Sequence, residues 1–313
     1  MTIVLTLFIM PFVILLGSFD ASTEVGSARM QGGRQDNMTS EQIDQLWDID
    51  DPKAGFQALQ KALAEHPGSA DEIHTQICRS LGLQDKFAEG WAELAKVSDH
   101  PTDIVRIRTM LEAGRLRNSS GDPKAAVPHF QAALDLAAAK GFDFYAVDAA
   151  HMLGIATSGQ TSVDWNEKAL AMAASSADKR AQRWKGSLLN NLGWTYHDAG
   201  DFDKALEKFV AAQKFREEAG DRKRERIARY AVARCYRSMK RHTEALEILE
   251  DLIKGPEDGY VSEELGENLL AIGKKDEAKP HFKRAYELLS QDDWMKKNEA
   301  ARLERLKQLG ASD

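Results

Sequence analysis

Residues 186–220 read GSLLNNLGWTYHDAGDFDKALEKFVAAQKFREEAG. Leu189, Leu192, Gly193 and Tyr196 recur at three-to-four-residue spacing, so they share one face of a helix. Gly200 ends that helix and Asp201 stands where it can cap the next. Phe202, Ala205, Phe209 and Ala212 then make the apolar face of a second helix. The small residues Gly193, Ala205 and Ala212 allow close approach, while Leu, Tyr and Phe fill the flanks. A helical hairpin of this kind is a packing unit and carries no chemistry of its own.

The pattern recurs on both sides. Met110, Ala113 and Gly114 precede a Ser-Ser-Gly-Asp turn, Pro123 sits at a first helical position, and Ala126, Phe130 and Ala133 repeat the spacing of Ala205, Phe209 and Ala212. A weaker copy keeps Leu153, Gly154 and Ala173, but Asn166 stands where a helix-contacting Ala is expected. Val232, Ala233 and Tyr236 face Ala245 and Leu249, and the last pair holds Leu265, Gly266, Leu269, Ala278, Phe282 and Ala285. Upstream, Phe56, Leu59, Ala62 and Leu63 mark a helix opened by Pro52, and Ser69-Ala-Asp-Glu72 has capping-box spacing before Ile73, Ile77 and Leu81. Phe87, Trp91 and Leu94 supply a partner helix before Pro101. Trp294, Ala301, Leu303 and Leu306 stand amid charges in a last helix, as a terminal repeat needs.

The L-G-x2-Y…A-x3-F spacing of residues 186–220 resembles a tetratricopeptide repeat, with Leu189 in place of the usual Trp. Gly114, Gly154, Gly193, Ala233 and Gly266 are separated by 40, 39, 40 and 33 residues. The usual period is ~34, so the spacing resembles the long-period arrays of kinesin light chains and spindle-orientation scaffolds. The resemblance implies an all-α fold, a right-handed α-α superhelix of stacked hairpins. Its expected divisions are an apolar segment with a flexible linker over 1–40, degenerate repeats over 41–101, the array over 102–290 and a capping helix over 291–313.

In such arrays the first helix of each pair lines the concave surface. Off the core face of those helices lie Arg108, Arg115, Asn118, His151, Asn190, Trp194, His197, Tyr230, Arg234 and Arg237. Aromatic and Arg side chains are common interface anchors, and Arg can hold a carboxylate bidentately. The surface therefore suits a protein or peptide with acidic residues. Two readings of Trp194 stay open: a groove residue, or a plug in the inter-repeat core. Chaperone-binding members of the family grip a C-terminal carboxylate with Lys, Asn and Arg donors. Here only Asn191 matches, against His151, Ile155, Ile227 and Ala231.

Net charge is −7 with a pI near 5.7, which argues against a phosphate-neutralising nucleic-acid binder. Residues 214–241 hold eleven Lys or Arg against four acids, whereas 242–267 hold nine acids and one Lys. Such neighbouring blocks either steer an acidic partner or knit adjacent repeats together. No phosphate-binding loop or zinc spacing is present. The Ser176-Ala-Asp-Lys179 spacing lacks the companion motifs of a serine nucleophile. Neither catalysis, a cofactor, a metal nor a small-molecule substrate is expected. Two functional readings remain: a non-enzymatic interaction scaffold, or a peptide-responsive regulator. Residues 2–19 carry no charge, which points to membrane association or secretion through that segment. The alternative is a true start at Met38 and a cytoplasmic chain.

Overall fold

The structure, a computed structural model, describes residues 37–47 and 51–311. Among them there is helix and no strand. The chain divides into two compact units between Ser187 and Leu188.

The N-terminal unit contains α1 (Ser40–Asp44), α2 (Pro52–Glu65), a 3-10 turn (Pro67–Ser69), α3 (Ala70–Gly82), α4 (Phe87–Leu94), α5 (Asp103–Ser119), α6 (Pro123–Lys140), α7 (Asp143–Ala156), α8 (Gly159–Ser175) and α9 (Lys179–Arg183). Antiparallel neighbours pair in order, α3 with α4, α5 with α6 and α7 with α8. The first helices α3, α5, α7 and α9 also lie side by side, forming an inner layer.

Helix α10 (Lys185–Asp198) carries the boundary. The C-terminal unit continues with α11 (Phe202–Glu218), α12 (Arg222–Ser238), α13 (His242–Leu252), α14 (Gly259–Ala271), α15 (Lys275–Leu289), α16 (Asp293–Asn298) and α17 (Ala300–Leu309). Here α12 and α14 adjoin within one layer, while α11, α13 and α15 alternate with them along the chain.

Local chemistry sets the ends. Asp51, Asp122, Asp201 and Asp221 each accept a backbone N–H in the first turn of the following helix. Pro52 and Pro123 occupy first-turn positions, where no backbone donor is lost. Gly200 turns the chain between α10 and α11 at φ +79°, a left-handed conformation that glycine adopts without strain.

One contact recurs inside the hairpins. The fully buried rings of Phe130, Phe209 and Phe282 lie against the bare Cα atoms of Gly114, Gly193 and Gly266. In the third pair the partner of Gly154 is the Asn166 side chain. Asn166 thus stands in the register of the phenylalanines, while Ala169 and Ala173 are the buried small residues beside it. Its amide nitrogen donates to the Ser162 carbonyl, and the Ser162 hydroxyl donates to the Gly154 carbonyl.

Three expectations change. Ser69 precedes α3 but makes no side-chain cap; its hydroxyl accepts from the Met38 N–H. In α17, Leu303 and Leu306 are buried as expected, but on the separate helix α16 Trp294 is exposed and Met295, one residue on, fills the core. The expectation of membrane association or secretion through an apolar segment is corrected: no helix among the described residues is long and apolar enough to cross a membrane. Residues 2–19, on which that expectation fell, lie outside the described residues.

Candidate functional site

In the N-terminal unit the structure places the predicted residues on a floor of ion pairs. Arg108, 3% exposed, reaches from α5 to Asp44 at 2.8 Å and Glu72 at 2.8 Å. Arg115 lies one side over, held by Glu112 at 2.5 Å and by both oxygens of Asp148 at 2.6 Å. Arg79 closes on Glu112 at 3.3 Å, and Arg180 pairs with Asp44. Burial alone would raise the Asp148 carboxyl, but Arg115 and Arg79 beside it together outweigh that and hold it below the usual carboxylate range. His151 is 1% exposed and packs with its ring tilted against Trp184, centroids 5.1 Å apart. Burial drives its imidazole down to about 4, against the opposing pull of Asp148. Neither Arg108 nor His151 therefore presents a side chain to solvent. Asn118 is half-buried, and its carbonyl closes the turn at Gly121.

Sequence reasoning passed over the carboxylates of this floor. Glu112 stands three residues before Arg115, and Asp148 three before His151, a spacing that puts each on the same helix face as its neighbour. That signal was readable. The long-range contributions of Asp44 and Arg180 were not.

The C-terminal unit gathers the other predicted residues. Trp194 on α10 is half-buried, edge-on to Phe209 at 4.9 Å and to His197 at 5.4 Å. It packs against the cluster of Ala205, Phe209, Ala231, Val232 and Cys235, so its ring shares in the core while one part stays open. His197 Nε2 meets the Ser238 hydroxyl at 2.8 Å. On α12, Tyr230 leans on the cluster of Ala233, Leu249 and Val261, and burial pushes its phenol well up. Arg234 and Arg237 converge on one carboxylate, Glu264 of α14, which is 1% exposed. Burial raises the Glu264 carboxyl to about 7, opposed by Arg234. Asn190 Oδ1 is shielded from solvent and accepts no hydrogen bond among the described residues.

The opposed charge blocks are largely spent on each other. Arg229 pairs with Asp251 at 2.7 Å, Arg234 and Arg237 with Glu264, and Arg226 donates to the Leu252 and Pro256 carbonyls. The basic α12 is thereby tied to the acidic segment that follows it. Arg302 and Arg305 fix α17 on α14 through Glu263 and Glu267. Ser176 is a turn residue: its hydroxyl donates to Asp143 at 2.5 Å and accepts from the Asp178 N–H. Among the described residues no cluster of His, Cys, Asp or Glu is disposed to hold a metal ion.

This is the architecture of a helical-repeat protein. Residues 184–258 match the family model of the tetratricopeptide repeat, and the solved structures similar to the chain are tetratricopeptide-like repeat proteins. A signal-transduction ATPase with a tetratricopeptide repeat sensor from Pyrococcus horikoshii is 13% identical, with a TM-score of 0.63 over 87% of this chain and 44% of that one. The apo form of RapI is 13% identical, with a TM-score of 0.62 over 85% of this chain and 78% of that one. NprR in complex with its cognate peptide NprX is 14% identical, with a TM-score of 0.54 over 86% and 82%. At these identities the likeness is one of fold. No curated protein matches the chain.

Proposed function

We propose that the protein is a non-enzymatic interaction scaffold that binds a peptide or partner protein on the first-helix layer of its C-terminal unit. The observation that carries this reading is the convergence of Arg234 and Arg237 on the single carboxylate of Glu264. Two guanidinium groups against one carboxylate leave a positive excess, and both remain partly open at 24% side-chain exposure. Half-buried Trp194 and Tyr230 offer aromatic surface on neighbouring helices. Such aromatic and Arg groups anchor interfaces, so the fitting partner carries an acidic residue beside an apolar one.

The variant R234K/R237K tests this. Lysine keeps the charge on Glu264 but loses the planar fork that grips a second carboxylate. Thermal melting should stay close to that of the wild type, while affinity for a partner captured by the intact protein should fall by at least about tenfold. Unchanged affinity would remove the arginines from the interface.

A second reading, a peptide-responsive regulator, is favoured by one specific observation: the fold neighbour NprR was solved with a cognate peptide. Small-angle scattering with and without candidate peptides separates the two. A regulator changes dimensions on binding, and a rigid scaffold does not.

A further inference from the structure

The inner layer of the N-terminal unit is already occupied, and by the chain itself. Helix α1 is only five residues long, yet it touches three of the four inner helices, α3, α5 and α9. Asp44 is gripped from α5 by Arg108 and from α9 by Arg180. The Ser40 carbonyl accepts from Arg108 at 3.3 Å. Arg79 of α3 lies 4.4 Å over the Trp47 ring. Ile43 is fully buried against Leu59, Ile73 and Ile77. Thr39 and Gln42 close a reciprocal capping box that makes so short a helix stable once seated. An end cap would need the apolar contact alone, which involves only α2 and α3. The ion pairs extend to helices that an end cap never reaches.

Charge points the same way. Without this segment the floor holds four arginines, Arg79, Arg108, Arg115 and Arg180, against three carboxylates, Glu72, Glu112 and Asp148. Asp44 supplies the missing negative charge. A buried guanidinium without a partner is costly, so an empty floor demands a carboxylate from somewhere.

We infer that the inner layer of the N-terminal unit is a binding site for a short helix presenting an aliphatic residue directly followed by a carboxylate, and that residues 38–47 fill it as a resident ligand. A partner enters by offering the same chemistry and displacing the segment, in the manner of a helix laid in a groove. This site is separate from the arginine pair of the C-terminal unit and stands whether or not that pair binds a partner.

The test keeps the whole chain and severs one connection. A specific protease site is inserted between Trp47 and Asp51 and cut after folding. The probe is a fluorescein-labelled peptide of sequence 38–47, with an Asp44→Asn peptide as its control, read by fluorescence polarisation. A tethered segment acts at an effective concentration of roughly millimolar. Against a peptide that binds at ~10 µM, the uncut chain should therefore bind the probe about 100-fold more weakly than the cut chain. The Asp44→Asn peptide should bind the cut chain at least about tenfold more weakly than the probe, having lost the charged half of two ion pairs. Equal binding by cut and uncut chains overturns the inference, as does equal binding of the two peptides. If the cut chain loses its circular dichroism on dilution, or keeps its segment without exchange, the segment is a structural cap and the inference fails.

Discussion

Gly193→Ala tests the packing that defines the central hairpin. A Cβ at this position would stand 2.5 Å from Phe209 Cδ1 and 3.0 Å from its Cγ, closer than carbon atoms pack. The ring cannot swing away, because Phe209 is fully buried and Trp194 stands edge-on against it at 4.9 Å. Overpacking of this kind costs about 1–3 kcal/mol. Replacing glycine inside a helix returns up to ~1 kcal/mol in helix propensity. Contacts this short fall in the upper part of the overpacking range, so the net expectation is a loss of about 1–2 kcal/mol. The assay is urea unfolding followed by circular dichroism and tryptophan fluorescence. Phe209→Leu in the Gly193→Ala background should recover part of that loss, since the shorter side chain withdraws the clashing edge, so the pair is coupled by ~1 kcal/mol. Gly200→Ala is the control. It meets nothing within 4 Å but sits at φ +79°, so its cost of about 1–2 kcal/mol comes from the backbone and Phe209→Leu should not relieve it. The reasoning is refuted if Gly193→Ala is as stable as the wild type, or if Phe209→Leu is simply additive with it.

Other outcomes follow from buried groups. The His151 imidazole is held down to about 4 in the fold against an ordinary 6.5. Between these values the unfolded chain takes up a proton and the folded chain does not. Stability present above pH 6.5 is therefore lost as pH falls toward 4, by about 3 kcal/mol in the limit. His151→Gln should flatten the stability profile over that window in a urea titration series; an unchanged slope would exclude His151 as the source. Cys78 and Cys235 are both fully buried. Burial pushes the Cys78 thiol far up and the Cys235 thiol up to about 11. Neither should react with a thiol reagent in native buffer, and each should label as its own unit opens. Mass spectrometry of alkylated peptides along a urea gradient reads the two units separately; rapid native labelling of either would show its helix to be open.

The fold was legible wherever small residues and rings recur at fixed spacing. Gly114 with Phe130, Gly193 with Phe209 and Gly266 with Phe282 announce the hairpins, because a ring seated on a bare Cα needs both residue types at their registers. The Asn166 hairpin was harder. Its amide takes the ring's place, with its nitrogen donating to the backbone carbonyl of residue 162 and the Ser162 hydroxyl bonded to the Gly154 carbonyl. The candidate site was less legible. Helical periodicity identifies which side chains leave the core face, and Arg234 and Arg237 do so. It says nothing of what meets them, and Glu264, Asp148 and Asp44 arrive from other helices. Arg108 and His151 share the face of their neighbours in sequence, yet both are buried, because Asp44 and Trp184 cover them from elements remote in the chain. Ser69 likewise reads as a cap, but a backbone N–H 31 residues away takes its hydroxyl.

The central claim, that partners are met on the first-helix layer of the C-terminal unit, is tested most directly by photo-crosslinking in native extract. Benzoylphenylalanine is placed at Tyr230 of α12 or at Val210 of α11, which is 45% exposed on the other layer. The account predicts partner adducts from position 230 that an excess of the captured partner's peptide suppresses, and none from position 210. Adducts confined to position 210 would contradict it.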